Sequence, residues 1–133
     1  MKQFCMLLVS LIVLISMVSC GGIKNDPVEI SEAVVKYVQK GKIIELKELC
    51  AEKCAILVNA MQDACDENST SDERIKERMK RMIESEYTLK DKSVNDNEAE
   101  FSYEGRDKTG ATKVMTIKLE KEGEKWYIED IVY

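Results

Sequence analysis

The spacing of apolar residues along the chain changes near residue 86, from a helical period to a strict alternation. Between residues 27 and 84, apolar side chains recur every three or four positions and therefore share one face of an α-helix. From Tyr87 onward they alternate with polar side chains, which is typical of strands in a sheet with one buried face. Helices followed by such a sheet predict an α+β fold, with the N-terminal helices packed on an antiparallel sheet.

Three helical stretches are predicted before the sheet. The first begins at Asp26, a favoured N-cap residue followed by Pro27 at the first helical position, and Gly41 ends it. The second runs from about residue 42 to residue 64, continuous or broken in the middle. The third is expected to begin with Thr70 and Glu73 as a capping pair. Its apolar residues lie on one side: Ile75, Met79, Met82 and Ile83.

The predicted strands are separated by a turn over residues 95–97, a loop over residues 105–110 and a hairpin turn at Gly123. The first strand begins with Tyr87 and Leu89, and the last runs from Trp126 to Tyr133. Alternation places the following residues on the apolar face of the sheet: Ala99, Phe101, Tyr103, Met115, Ile117, Leu119, Trp126 and Ile128.

The N-terminus carries one cation, Lys2, and then an apolar run from Phe4 to Val18 that is broken only by Ser10 and Ser16. As a helix this run would reach about 22 Å, short of the roughly 30 Å hydrocarbon core of a bilayer. It is therefore typical of a signal peptide. An ordinary cleaved signal or a short signal anchor are the alternatives to the lipoprotein signal considered next.

The segment Met17-Val18-Ser19-Cys20 resembles a bacterial lipobox, with methionine where leucine is usual. The resemblance implies that residues 1–19 are removed, that the sulfur of Cys20 takes a diacylglyceryl group, and that residues 20–25 form a lipidated tether. Two or three acyl chains would hold the chain on a membrane firmly. The glycines after Cys20 replace the aspartate that retains such proteins in the inner membrane. The expected localisation is the cell envelope, by lipid anchor, at the outer membrane.

The composition narrows the classes of function. A chain of 133 residues leaves room for one domain, expected over residues 26–133. Its net charge of −5 argues against a nucleic-acid partner. The absence of histidine removes the commonest general base and the commonest zinc ligand. No metal and no cofactor are predicted.

The order of elements, ending in Gly123-Glu124-Lys125-Trp126-Tyr127-Ile128, resembles the cone-shaped fold of nuclear transport factor two, ketosteroid isomerase and scytalone dehydratase, also called cystatin-like. More narrowly, the chain resembles small lipoproteins of that superfamily found in gut Bacteroidetes. The resemblance implies a curved antiparallel sheet wrapped against helices, sometimes with a pocket at the open end. The superfamily contains enzymes, binding modules and scaffolds, so the fold alone does not assign a function.

Three cysteines of the domain are candidate chemistry-bearing residues: Cys50, Cys54 and Cys65. Without a fourth ligand they do not match a structural zinc site. Three reduced thiols in the core are the first interpretation, and a single disulfide involving Cys65, with Cys50 as the candidate partner, is the alternative. A disulfide would need a break in the second helix near residues 51–54, or a break beyond Cys65.

Asp130 is the one acid that alternation places on the apolar side of the sheet, with Trp126 and Ile128. It could serve as a base beside the phenol of Tyr103 or Tyr87. Alternatively, the strand bulges at Asp130 and its carboxylate binds backbone amides, because Ile131 and Tyr133 change parity just beyond it. Tyr103, Trp126 and Asp130 are also the candidate ligand-binding residues.

A basic run on the third helix, Lys76, Arg78, Lys80 and Arg81, is interleaved with acids and predicts a solvated face.

The sequence therefore favours a membrane-anchored envelope lipoprotein whose domain binds a small apolar ligand or an envelope protein without catalysis. An isomerase-like or dehydratase-like enzyme and a structural module of an envelope complex are the alternatives.

Overall fold

Four helical segments precede four strands in the computed structural model, which describes residues 23–66, 68 and 70–133. In chain order the elements are α1 (Pro27–Gln39), a 3₁₀ helix (Ile43–Leu49), α2 (Glu52–Cys65), α3 (Glu73–Glu84), β1 (Glu86–Val94), β2 (Glu98–Arg106), β3 (Thr112–Glu122) and β4 (Lys125–Val132). The predicted α+β fold is confirmed.

No helix among these residues is long and apolar enough to span a membrane.

The helix ends follow from short polar side chains and one glycine. The carboxylate of Asp26 accepts a hydrogen bond from the backbone N–H of Glu29 at 3.1 Å, which confirms it as the N-cap of α1. Gly41 follows α1 with a φ of +70°, the left-handed conformation that glycine adopts without strain. The predicted cap of α3 is wrong. Asp72 caps α3 instead of Thr70, because its carboxylate lies directly before the helix and accepts from the N–H of Arg74 at 2.8 Å.

The second predicted helix is broken at Cys50 and Ala51. Both residues are extended, with ψ angles of 145° and 161°, and the backbone N–H of Ala51 donates to the carbonyl of Ile128 at 2.9 Å. Because this hydrogen bond to β4 requires extended backbone at Cys50 and Ala51, the helix is interrupted there. The 3₁₀ helix precedes the break and α2 follows it. Leu46, on the 3₁₀ helix, is fully buried.

The sheet is an antiparallel meander in the order β1-β2-β3-β4. The alternation predicted for β2 and β3 is confirmed: their inward side chains are buried, and Phe101 and Ile117 are fully enclosed. On β1 the prediction holds less well. Tyr87 packs against the core, whereas Leu89 is 41% exposed because the side chains of this edge strand beyond Tyr87 are left uncovered.

The described chain begins within the segment predicted as a tether. Ile23 packs against the core, and Asn25 is bonded twice to the β3–β4 hairpin, accepting from the N–H of Trp126 at 2.8 Å and donating to the carbonyl of Glu124 at 2.7 Å. The ordered contacts of the domain therefore start a few residues earlier than predicted. Residues 1–22, with the predicted signal peptide (1–19) and Cys20, lie outside the described residues.

Candidate functional site

An apolar cleft of about 240 Å³ lies between α2, α3 and the C-terminal end of β4. It is smaller than most pockets for drug-sized ligands and suits a small molecule or one part of a larger one. The side chains that dominate its lining are Leu57, Met61, Ile75, Met79, Ile131 and Tyr133. Methionine adapts its shape to irregular apolar partners. The lining can therefore adjust to a flexible hydrocarbon chain.

The amphipathic pattern of α3 explains how the cleft is left open. Met79 and Met82 are 5% and 1% exposed, whereas Ile75, one turn earlier on the same face, is 50% exposed. Of the four apolar residues predicted to share one side of this helix, Ile75 is thus the one left half-exposed. It lies in the first turn of α3 and lines the cleft, with no covering side chain over half of its surface.

A second cavity, of about 220 Å³, adjoins the cleft and shares Arg78 and Tyr133 with it. We call its four cations, which come from α3 and β3, the basic mouth: Arg74, Arg78, Arg81 and Lys113. Arg74 and Arg81 are partly neutralised by Asp72 and Glu77, each at 3.5 Å. Among the described residues, Arg78 and Lys113 form no salt bridge.

Lys113 lies close enough to Arg78 and Arg81 of this mouth to be repelled by them. Partial burial, followed by repulsion from Arg78 and Arg81, lowers the pKa of the Lys113 ammonium group. Its Nζ lies 4.5 Å from the ring centroid of Tyr133, in a cation–π contact at the edge of the cleft. An anion bound at the mouth would offset the repulsion between these cations, so the site favours negative charge beside an apolar surface.

Of the basic run predicted as a solvated face, Arg78, Lys80 and Arg81 are exposed as expected, whereas Lys76 is partly buried, and part of the run is paired with acids of the same helix. Lys76 lies 3.6 Å from Glu73, in addition to the Arg81–Glu77 pair. The basic mouth was not predicted from the sequence. Lys113 and Tyr133 are distant from α3 along the chain and come close to it only when the sheet forms. The one local signal was the continuation of the apolar stripe of α3 to Ile75.

The candidate ligand-binding residues do not line the cleft. Tyr103 is buried on β2, where its hydroxyl shares a hydrogen bond of 3.0 Å with that of Ser31, and burial raises the pKa of its phenol. Trp126 is buried at the start of β4, beside Asn25. Asp130 accepts a hydrogen bond from the backbone N–H of Ile131 at 2.9 Å.

The bulge that was one of the two interpretations of Asp130 is confirmed. Lys118 of β3 pairs with Asp130, but Leu119 pairs with Ile128, so Glu129 is the extra residue on β4. Tyr103 lies two strands away from Asp130, and Tyr87 lies at the opposite edge of the sheet, where its hydroxyl donates to the carbonyl of Met82. The structure does not bring the acid to either phenol.

The structure places Cys50 beside Cys54 and not beside Cys65. The Sγ atoms of Cys50 and Cys54 are 2.9 Å apart, and all three thiols are free. Cys54 and Cys65 lie eleven residues apart on α2, about 16 Å along the helix axis, so Cys65 is too far to bond with either. Cys65 instead borders α3, near Lys76 and Met79.

Comparison of the chain with protein-family models, with curated proteins and with solved structures gave no match.

Proposed function

We propose that this protein is a bacterial envelope lipoprotein, anchored at the outer membrane through Cys20, whose domain binds a small anion with an apolar chain and performs no catalysis. The apolar chain occupies the cleft, and the carboxylate or phosphate head binds the basic mouth. The observation that carries the proposal is that the apolar cleft and the cavity of the basic mouth share two lining residues, Arg78 and Tyr133. Cations gathered there in a chain of net charge −5 support an anionic head group.

The expected affinity follows from the methylene groups that the ligand buries and from the hydrogen bond that its charged head forms. Each methylene group buried against apolar side chains contributes about 0.8 kcal/mol, and a hydrogen bond to a charged group contributes roughly 1.5–3 kcal/mol. Part of this is offset by the lost freedom of the bound ligand. For decanoate we therefore expect a dissociation constant on the order of 10 μM.

The position of the cleft fits a membrane-anchored protein. Asn25, the last residue of the predicted tether, is bound to Trp126 at one end of β4, whereas Tyr133 borders the cleft at the other end. At about 3.3 Å per residue, and with Glu129 as a bulge residue, these ends are roughly 20 Å apart. The cleft therefore lies at the other end of β4 from the segment that leads to the proposed anchor.

We also propose that the fold belongs to the cone-shaped superfamily of nuclear transport factor two. Helices followed by an antiparallel meander support the relationship, as does the glycine hairpin before Trp126.

The cleft is tested by placing a charge in its wall. Ile75→Glu should weaken the binding of decanoate at least 10-fold, because a carboxylate then lies against the hydrocarbon chain and near the bound head group. Ile56→Glu is the matched control, since Ile56 is 74% exposed on α2 and does not line the cleft. Isothermal titration calorimetry measures both. Equal affinities for the two variants and the parent protein would contradict the proposal.

The anchor is tested separately. Cys20→Ser, produced in a bacterial host fed radiolabelled palmitate, should carry no label and should keep its first 19 residues, because the serine hydroxyl cannot form the thioether. Cys5→Ser, inside the apolar run, is the matched control and should be labelled like the parent. Normal processing of Cys20→Ser would contradict the anchoring proposal. It would not bear on the proposal that the cleft binds a ligand.

A further inference from the structure

Cys50 and Cys54 form a close pair at the N-terminal end of α2. Their Sγ atoms are 2.9 Å apart, joined by a hydrogen bond. Cys54 is 1% exposed, whereas Cys50, which lies just before the N-cap residue Ala51, is only half-buried. Cys50 is therefore the more accessible residue of the pair.

The backbone holds this pair in place from two sides. Cys50 forms a parallel bridge with Ile128 of β4, and Ala51 donates to the carbonyl of Ile128 at 2.9 Å. The N–H of Cys54 donates to the carbonyl of Ala51 at 3.0 Å, in the first turn of α2. The break in the helix is thus the feature that turns the side chain of Cys50 onto Cys54.

The two thiols differ in how readily they ionise. As thiols, Cys50 donates to Cys54; once Cys50 loses its proton, the Cys54 thiol donates to the thiolate. This hydrogen bond lowers the pKa of Cys50, although burial opposes the effect. The same bond, then burial, then the negative charges of Cys50 and Asp130 raise the pKa of Cys54. The N-terminus of α2 further favours a thiolate at Cys50.

We propose that Cys50 and Cys54 are a thiol–disulfide exchange site, in which Cys50 attacks a disulfide of a small molecule or a protein and Cys54 resolves the product. This site is separate from the cleft and does not depend on the proposed ligand. Within the described residues, no three cysteine, aspartate or glutamate side chains gather in a way that could hold a metal ion.

The exchange proceeds in two steps. The Cys50 thiolate attacks one sulfur of R–S–S–R′; a bond forms between Cys50 and R–S, the original disulfide breaks, and R′–S⁻ leaves and takes up the proton that Cys50 lost. Cys54 then gives up its proton and attacks the sulfur of Cys50, releasing R–S⁻, which takes up that proton. Two thiols of the protein are oxidised and one external disulfide is reduced to two thiols. The sulfurs need to approach by only about 0.9 Å to reach a disulfide bond length.

The proposed mature protein, which begins at the acylated Cys20, is tested by reducing it, exposing it to oxidised glutathione, alkylating the remaining thiols and locating each modification by peptide mapping. The parent protein should lose two hydrogens and be protected from alkylation at Cys50 and Cys54, while Cys65 is alkylated. In Cys54→Ser, a glutathione adduct should accumulate on Cys50. In Cys50→Ser, the buried Cys54 should remain unmodified. Cys65→Ser is the control and should form the same internal disulfide as the parent.

A second readout depends on pH and needs no disulfide to form. The rate of alkylation of Cys50 in the reduced parent should reach half its maximum below the ordinary thiol pKa of about 8.5, because the pKa of Cys50 is lowered and the thiolate persists to lower pH. In Cys54→Ala the midpoint should rise, since the hydrogen bond to the thiolate is lost. Retention of all thiols in the parent under oxidised glutathione, or adducts spread equally over Cys50, Cys54 and Cys65, would overturn the proposal.

Discussion

Replacing Phe101 with alanine is expected to lower the free energy of unfolding by about 3–5 kcal/mol. Phe101 is the largest side chain that is fully buried among the described residues, and it lies on β2 opposite Ile117 of β3. Removing its ring leaves a cavity in a sheet that is hydrogen-bonded on both sides of β2, so the backbone has little freedom to collapse into the space. This is the largest effect of a single substitution that we expect.

The loss is measured by urea denaturation followed by circular dichroism. Leu89→Ala is the matched control, because Leu89 lies on the adjacent strand β1 with 41% of its surface exposed. It should change the free energy of unfolding by less than about 1 kcal/mol. Equal destabilisation by the two variants would mean that Phe101 does not lie at the centre of the core.

Leu46→Ala carries the second largest expected effect, a loss of about 2–5 kcal/mol. Leu46 is fully buried although it belongs to a short 3₁₀ helix, an element that contributes little stability by itself. The loss therefore arises from packing against the core and not from helix propensity. The same denaturation measurement applies.

Ile44→Ala provides the control for this element, since Ile44 lies on the same 3₁₀ helix and is 45% exposed. We expect it to cost less than about 1 kcal/mol. If Leu46→Ala were as mild as Ile44→Ala, the segment from Ile43 to Leu49 would be a surface connection and not part of the core.

The burial pattern of the sheet was predictable because successive side chains of a strand point to opposite faces, so apolar residues at every second position mark the buried face. Phe101, Ile117 and Ile128 are buried where the pattern places them, and even the bulge at Asp130 was indicated by the change of parity at Ile131. The first cap was equally readable, since Asp26 and Pro27 act within one turn.

Features that depend on contacts between distant segments were not predictable. A break in the second helix was one of the two alternatives, but its position at Cys50 depends on the hydrogen bond from Ala51 to Ile128, 77 positions later, which no local residue signals. For the same reason the 2.9 Å approach of Cys50 to Cys54 was not foreseen.

The candidate site shows the same limit. The apolar stripe on α3 includes Ile75, but whether a helix or strand covers it depends on how α2 and the end of β4 are placed. The basic mouth joins α3 to Lys113 through the pairing of distant strands. Only the folded chain brings charge and apolar surface together.

The most direct test of the central claim uses the methionine methyl groups as reporters, observed by NMR while decanoate is added. Met61 and Met79 line the cleft, and Met115 is fully buried in the sheet away from it. We predict that the methyl signals of Met61 and Met79 shift in a saturable way while Met115 does not, and that the double variant Arg78→Gln/Lys113→Gln needs more decanoate for the same shift. Cleft methyl signals that stay unchanged at millimolar decanoate would contradict the account.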